Sequence, residues 1–305
     1  MLTCPNCSTQ NRDNAKYCKR CGVRLFEYPT LTYDELVVSS SVKEQIQTII
    51  EIAVQISDKK RSGQIVGKIN LNTAVIGSAG TGKNTVVNFL SSSFIKCGLI
   101  KDIITVEAVD YQQFSKDLEH NFQKAKGNIL FINDVQKLLP HGYSNTIDPL
   151  DKLFVQIKKS LGDPIVFLAG LPRGFQDYLD VNPSVKELFA YIIILSELQP
   201  EQLLIIAERK LKEFGLHLSE QSRDKLKRRF IWLYKHKDES YSNGHLAHSE
   251  AEEIYKSYLL RKGQEGIVIP EDIKGNVEKI KSKEEIISEL NELVGMNEIK
   301  REIID

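Results

Sequence analysis

No stretch of this sequence approaches the ~18 consecutive apolar residues of a membrane-spanning helix. Its opening, MLTCPNCSTQ, lacks the basic and apolar regions of a secretory signal. Both absences point away from the membrane and toward a cytoplasmic chain. Nor is there charge of one sign to spare: 41 Lys and Arg balance 41 Asp and Glu, so no global field draws the chain to nucleic acid or to an anionic surface. Any such binding has to come from a local patch. Cysteine is scarce after the start. Four of the five lie within the first 21 residues and the fifth, Cys97, has no evident partner, which fits a metal site in a reducing compartment better than a disulfide framework. What remains, at 305 residues, 41% hydrophobic and 27% charged, is an ordinary globular composition, enough for one large domain with appendages or for two domains.

Cys4 and Cys7 form one C-x-x-C pair and Cys18 and Cys21 a second, with ten residues between the pairs. A short turn lets both thiolates of such a pair face one point. Two of these knuckles brought together by a hairpin supply the closed tetrahedral sulfur set of structural zinc. So short a segment cannot bury a useful core, so zinc binding is expected to drive its folding. Redox pairs or lone structural cysteines are the other readings of the spacing. With four protein ligands no position remains for a substrate, and the ribbon (residues 1–25) reads as structural. Lys16, Lys19 and Arg20 are expected at its surface, as solvated charges in preference to contacts for a protein or nucleic-acid partner.

After Asn72 the chain runs Thr73-Ala-Val-Ile76, then Gly77-Ser78-Ala79-Gly80-Thr81-Gly82-Lys83-Asn84, then the helical pattern Thr85-Val-Val-Asn-Phe89-Leu90. A buried strand, a glycine-rich turn and a helix start in that order are the context in which G-x-x-x-x-G-K binds phosphate. The glycines let backbone amides wrap the phosphates, the helix N-terminus adds partial positive charge, and Lys83 reaches the terminal phosphates. Position 84 is unusual. Serine or threonine normally follows the lysine and gives its hydroxyl to magnesium, whereas Asn84 offers a bulkier neutral amide.

Gly127-Asn-Ile-Leu-Phe-Ile-Asn133-Asp134 is an apolar strand ending in polar groups, where a nucleotide hydrolase places the carboxylates that organise magnesium and water. The segment GNILFINDVQKLL resembles the Walker B region of the CbxX/CfqX branch of AAA+ proteins, which includes rubisco-activase-like ATPases and stage V sporulation protein K. Ile165-Val-Phe-Leu-Ala169-Gly170-Leu-Pro172 is similar to the family's next strand, Tyr178 through Phe189 to its arginine-finger helix, and Pro200 through Ala207 to the start of its small helical lid. The similarity covers residues 34 to 265. The resemblance implies an α/β fold: an AAA+ P-loop parallel sheet flanked by helices plus a small helical lid, preceded by the zinc ribbon. It divides the chain into 30–197 (nucleotide-binding α/β domain), 198–265 (lid) and 266–305 (linker helix and the start of a second, truncated AAA+ domain). ATP or ADP is implied as ligand.

The departures from the family pattern all act on chemistry and not on phosphate binding. The magnesium hydroxyl has become Asn84, the metal-organising aspartate Asn133, and the water-activating glutamate Asp134. The arginine that a subunit inserts into its neighbour's site falls on Leu188, with Lys186 the nearest cation, and lysine does not reproduce the planar guanidinium fork. The lid-sensor arginine falls on His245. An arginine finger alone is worth ~10³ in rate. The five changes favour a degenerate ATPase domain with weakened magnesium binding. A divergent active enzyme with substitute ligands stays open, because Lys83 and Asp134 survive.

Asp34-Glu-Leu-Val-Val-Ser-Ser-Ser-Val42-Lys-Glu-Gln-Ile46 aligns with Asn291-Glu-Leu-Val-Gly-Met-Asn-Glu-Ile299-Lys-Arg-Glu-Ile303, with five of thirteen positions identical. In this branch such a segment opens the ATPase domain beside the adenine, which implies that Val37 and Val38 border the base. The second copy has no phosphate loop after it, so a truncated or fragmentary tandem protein is expected, unless two amphipathic helices merely share common helix formers. The segment 22–33 reads as a docked connection, and the charged helical pattern from Val277 as a linker helix. The run Arg223 to Lys237 mixes basic and aromatic residues. It is read as an amphipathic lid helix with Leu226, Phe230 and Leu233 inward, in preference to a nucleic-acid surface.

The leading expectation is a nucleotide-binding, hydrolysis-impaired domain of a protein-remodelling assembly, partnered by a protein client or another AAA+ domain in a ring-type homo-oligomer. Its nucleotide site is Val37, Val38, Gly77 through Thr85 and Asn133, with Asp134 the one residual catalytic residue and Cys4, Cys7, Cys18 and Cys21 the zinc ligands. The rivals are a slow magnesium-dependent ATPase motor and a zinc-ribbon nucleic-acid adaptor, nucleic acid being the less favoured partner.

Overall fold

The computed structural model of the chain describes residues 2–4, 9–12, 15, 17–21, 31–108, 111–138, 149–238, 241–263 and 265–278. Cys7, Lys16, the connection at 22–30, the continuation of the helical pattern from 279 and the second copy at 291–303 lie outside them. The chain divides into two compact units at Leu198, except that the short segment Ser242–Leu246 belongs to the first.

The first unit begins with two short strands, β1 (Leu2–Thr3) and β2 (Gln10–Asn11), paired antiparallel. A 3-10 turn at Tyr33–Glu35 then leads into α1 (Ser40–Arg61). Ser39 caps α1, its hydroxyl accepting from the Val42 amide, and Lys59, Lys60 and Arg61 sit at the negative end of the helix dipole. Val42, Ile46, Ile49, Ala53 and Ile56 recur at intervals of three and four and bury one face.

Five parallel strands follow, alternating with helices: β3 (Thr73–Gly77), α2 (Lys83–Lys96), β4 (Ile103–Glu107), α3 (Tyr111–Lys124), β5 (Ile129–Asn133), α4 (Pro149–Lys159), β6 (Ile165–Gly170), the short helices α5 (Asp177–Val181) and α6 (Pro183–Lys186), and β7 (Tyr191–Leu195). Their spatial order is β4-β5-β6-β3-β7. The strands are near-continuous runs of Ile, Val, Leu and Phe because both faces are covered. Side chains alternate between two cores. Val75, Ile129, Phe131, Phe167 and Ile193 meet α1 and α2, and Phe94 of α2 stands edge-on to Phe167. Ala74, Ile76, Leu130, Ile132 and Leu168 meet α3 and α4 on the other face.

A buried carboxamide fixes the entry to this sheet. Asn72, just before β3, accepts the Val166 amide of β6 at 2.8 Å through Oδ1 and donates to the Leu188 carbonyl at 3.1 Å through Nδ2. The Asn72→Ala variant would leave the Val166 amide buried and unpaired, while the Leu188 carbonyl keeps its bond from Asn70 Nδ2 at 3.1 Å. Urea unfolding is expected to show a loss of about 1–3 kcal/mol, and an unchanged midpoint would mean that water replaces the amide.

The second unit contains α7 (Pro200–Glu213), β8 (His217–Leu218), α8 (Glu220–Lys235), most of α9 (Gly244–Leu260) and β9 (Ile267–Val268), with β8 and β9 paired parallel. Leu226 and Phe230 of α8 are fully buried and Leu233 is half-buried. The basic residues of α8 are taken up by carboxylates of the same unit: Arg223 by Glu208, Lys227 by Glu201, Arg229 by Glu250 and Lys235 by Glu278. That pairing fits a helical lid better than a phosphate-binding surface. No helix among the described residues is long and apolar enough to cross a membrane.

Candidate functional site

The chain leaves β3 for β4 at the sheet's far edge, returns through β5 and β6, and then crosses to β7 on the other side of β3. Such a reversal opens a crevice at the carboxyl ends of the strands. Into it run the loop after β3, the polar end of β5 and the turn after β6.

The loop from Gly77 to Lys83 turns tightly enough that two of its glycines are obligatory. Gly82, at φ 95°, is the residue before the first turn of α2, and Gly80, at φ 71°, has the Ser242 carbonyl where a Cβ would be. Thr81 is buried and its hydroxyl donates to the Ser78 carbonyl at 2.9 Å. Lys83 donates to the Gly77 and Ser78 carbonyls at 2.8 and 3.0 Å. Its pKa is lowered by burial, an effect opposed by attraction to Asp134. Asn84 and Thr85 are exposed on the first turn of α2, beside amides that have no partner within the helix. Ser78 and Ala79 lie on the loop's outer curve, half-buried and exposed.

Asn133 ends β5, and its amide nitrogen donates to the Glu107 carboxylate of β4 at 3.0 and 3.4 Å. Asp134 follows at φ 55°, a left-handed conformation that Asp and Asn tolerate better than Glu. Both of its carboxylate oxygens are engaged: Lys137 donates to Oδ2 at 2.8 Å and Gln136 to Oδ1 at 3.3 Å. Gln136 also accepts the Leu171 amide at 3.1 Å, which ties this turn to the end of β6. The hydrogen bond from Lys137 is the main reason that the Asp134 carboxyl is held below the usual carboxylate range. A carboxyl with a depressed folded pKa adds stability above its unfolded pKa of 3.8 and loses it as pH falls through the folded value. Asp134→Asn keeps the left-handed backbone. Its deficit in melting temperature relative to wild type is expected to be present at neutral pH and to vanish on acidification below the carboxylate range. A deficit independent of pH would show that the charge is immaterial.

The remaining residues singled out from the sequence sit on other elements. Val37 and Val38 are half-buried ahead of α1, and Val38 is placed by the core of that helix. Leu188, at the finger position, is only 9% exposed within the core, and Lys186 is paired with Asp180 at 3.0 Å. His245 is exposed. Motif reading passed over Glu107, Gln136, Lys137 and Asn243. Only Gln136 and Lys137 carried a local signal, being next to the Asn133-Asp134 pair.

In the ribbon, the sulfurs of Cys4, Cys18 and Cys21 lie within 4.8 Å of one another, with Cys4 and Cys21 at 3.5 Å. Four thiolates tetrahedral about zinc at 2.3 Å are spaced ~3.8 Å apart, so the cluster fits the metal. Cys18 Sγ accepts from the Arg20 amide at 3.4 Å and from Asn11 Nδ2 at 3.7 Å, as a metal-bound thiolate requires of its surroundings.

A parallel sheet with this order, a phosphate-loop sequence at the switch point, a helical unit after it and a cysteine ribbon before it give the chain an α/β fold of the AAA+ type with an N-terminal zinc ribbon. The zinc-ribbon domain family matches residues 3–24. Stage V sporulation protein K of Bacillus subtilis (strain 168) is 26% identical over 200 residues, 63% of this chain and 62% of that protein. The CfxQ homolog of Trieres chinensis is also 26% identical, over 63% of this chain and 69% of its own. The match therefore spans less than two thirds of the Bacillus protein. Among solved structures, the RuvB Holliday junction branch migration motor of Thermotoga maritima superposes with a TM-score of 0.55 at 14% identity, covering 80% of this chain and 70% of that one. The likeness shows the fold.

Proposed function

We propose that the first unit binds ATP or ADP through Gly77–Thr85 and is impaired in hydrolysing it, serving as a regulatory nucleotide-binding domain within a ring-forming, protein-remodelling assembly. Lys83 and the amides at the start of α2 hold the phosphates, and Val37 and Val38 border the base. The observation that carries the reading is the surroundings of Asp134. A residue that activates water needs sufficient basicity, and here Lys137 and Gln136 each donate to a carboxylate oxygen of Asp134 while Lys137 lowers the basicity.

The donors do not suit magnesium. That ion prefers one or two carboxylates together with phosphate oxygens, whereas this chain offers the Asn84 and Asn133 amides and a carboxylate already paired with a lysine. Loss of the finger at Leu188 removes a further cation from any neighbouring site. Zinc, held by Cys4, Cys18, Cys21 and Cys7, is structural.

Calorimetric titration with ATP and ADP, with and without magnesium, together with phosphate release from the same sample, tests the reading. Binding that magnesium hardly changes, without release, is expected. Magnesium-dependent release lost in Asp134→Asn would establish a working motor instead, and absence of binding would end the nucleotide reading altogether.

A further inference from the structure

The phosphate loop is held from far along the chain. Asn243 is fully buried and left-handed at φ 49°. Its Nδ2 donates to the Ala79 carbonyl at 3.0 Å, and its Oδ1 accepts the Leu198 amide at 2.9 Å. The next residue continues the contact: the Gly244 amide donates to the Gly80 carbonyl at 2.9 Å. Two successive carbonyls of the loop are thus bound by two successive residues at the head of α9. The packing leaves no slack, since a Cβ on Gly80 would stand 1.9 Å from the Ser242 carbonyl.

A loop of this kind binds phosphate with its amides, and the direction of an amide is set by the carbonyl across the same peptide plane. Fixing the Ala79 and Gly80 carbonyls therefore fixes the amides of Gly80 and Thr81. The geometry points to Asn243 and Gly244 as positioning residues for the nucleotide site: they preset the phosphate loop, and occupancy of the loop is felt at the first turn of α9. This rests on the nucleotide-binding reading of the loop. The role is separate from that of the exposed His245, because it acts on the loop's backbone and not on the ligand.

Asn243→Gly tests it in the full chain, because glycine keeps the left-handed backbone and removes only the side-chain hydrogen bonds. ADP affinity by calorimetry is expected to fall about tenfold or more. In the wild type, ADP is expected to slow hydrogen exchange of the Gly244 amide about tenfold, while amides of β7 stay unchanged, a response that a purely structural contact does not give. If the wild type binds ADP and the variant binds it within about twofold, the positioning role is overturned while the nucleotide reading stands. A wild type that binds no ADP removes both. Should the variant fail to fold, the exchange experiment decides alone, and a Gly244 amide indifferent to ADP overturns the proposal.

Discussion

Lys83→Ala is expected to weaken ATP and ADP binding by about ten- to a hundredfold, the worth of one or two charge-assisted hydrogen bonds to phosphate. Between Gly77 and Thr85 the sequence carries no other cation. The same amine bonds the Gly77 and Ser78 carbonyls, so the variant also uncovers two acceptors. The burial of the amine has its own signature, in the pH dependence of stability. Because burial lowers the Lys83 pKa in the folded chain, the unfolded chain binds this proton more tightly between that value and 10.5, and stability climbs with pH across the interval. The climb should be absent from Lys83→Ala. Equal affinity of the variant and the wild type, measured by calorimetry, would exclude the loop as a phosphate site.

Zinc removal is expected to have the larger structural effect. Apparent binding free energies of such sites are about 10–16 kcal/mol, far more than the two-residue strands β1 and β2 supply. Under a chelator, the Cys4 amide, which donates to the Thr9 carbonyl at 2.9 Å, should lose its protection from exchange, along with the β1–β2 ladder. Cys4 and Cys18 belong to the same hydrophobic cluster as the inner faces of α1 and α2. The main melting transition should therefore fall as well, by about 2–4 °C per kcal/mol of lost packing for a domain of this size. Protection retained without metal would mean that the sulfur cluster is a packing feature only.

The sheet's central strands were legible because burial on both faces leaves an apolar run between punctuating residues, as in TAVIG before the loop and ILFIN before Asp134. The edge strands β4 and β7 are also β-branched runs, IITVE and YIIIL, yet motif reading passed over them because no chemistry follows them. The substitutions at 84, 133 and 188 were visible as residue types. Their surroundings were not. Nothing in the sequence period tells that Asn133 turns to Glu107 or that Leu188 is buried, whereas the three-residue spacing of Asp134 and Lys137 was there to be read. The Asn243 contact crosses 164 positions and depends on a left-handed residue, so neither helical nor strand periodicity reports it.

The first unit's inclusion of Ser242–Leu246 has a consequence for biosynthesis. A ribosome emits the chain in order, and all five strands of the sheet are out once Leu195 has cleared the exit tunnel. The Ala79 and Gly80 carbonyls still await their donors until Asn243 and Gly244 appear. Over that interval the nascent chain carries a complete sheet with an unfinished phosphate loop, so α7 and α8 are made before the loop is closed.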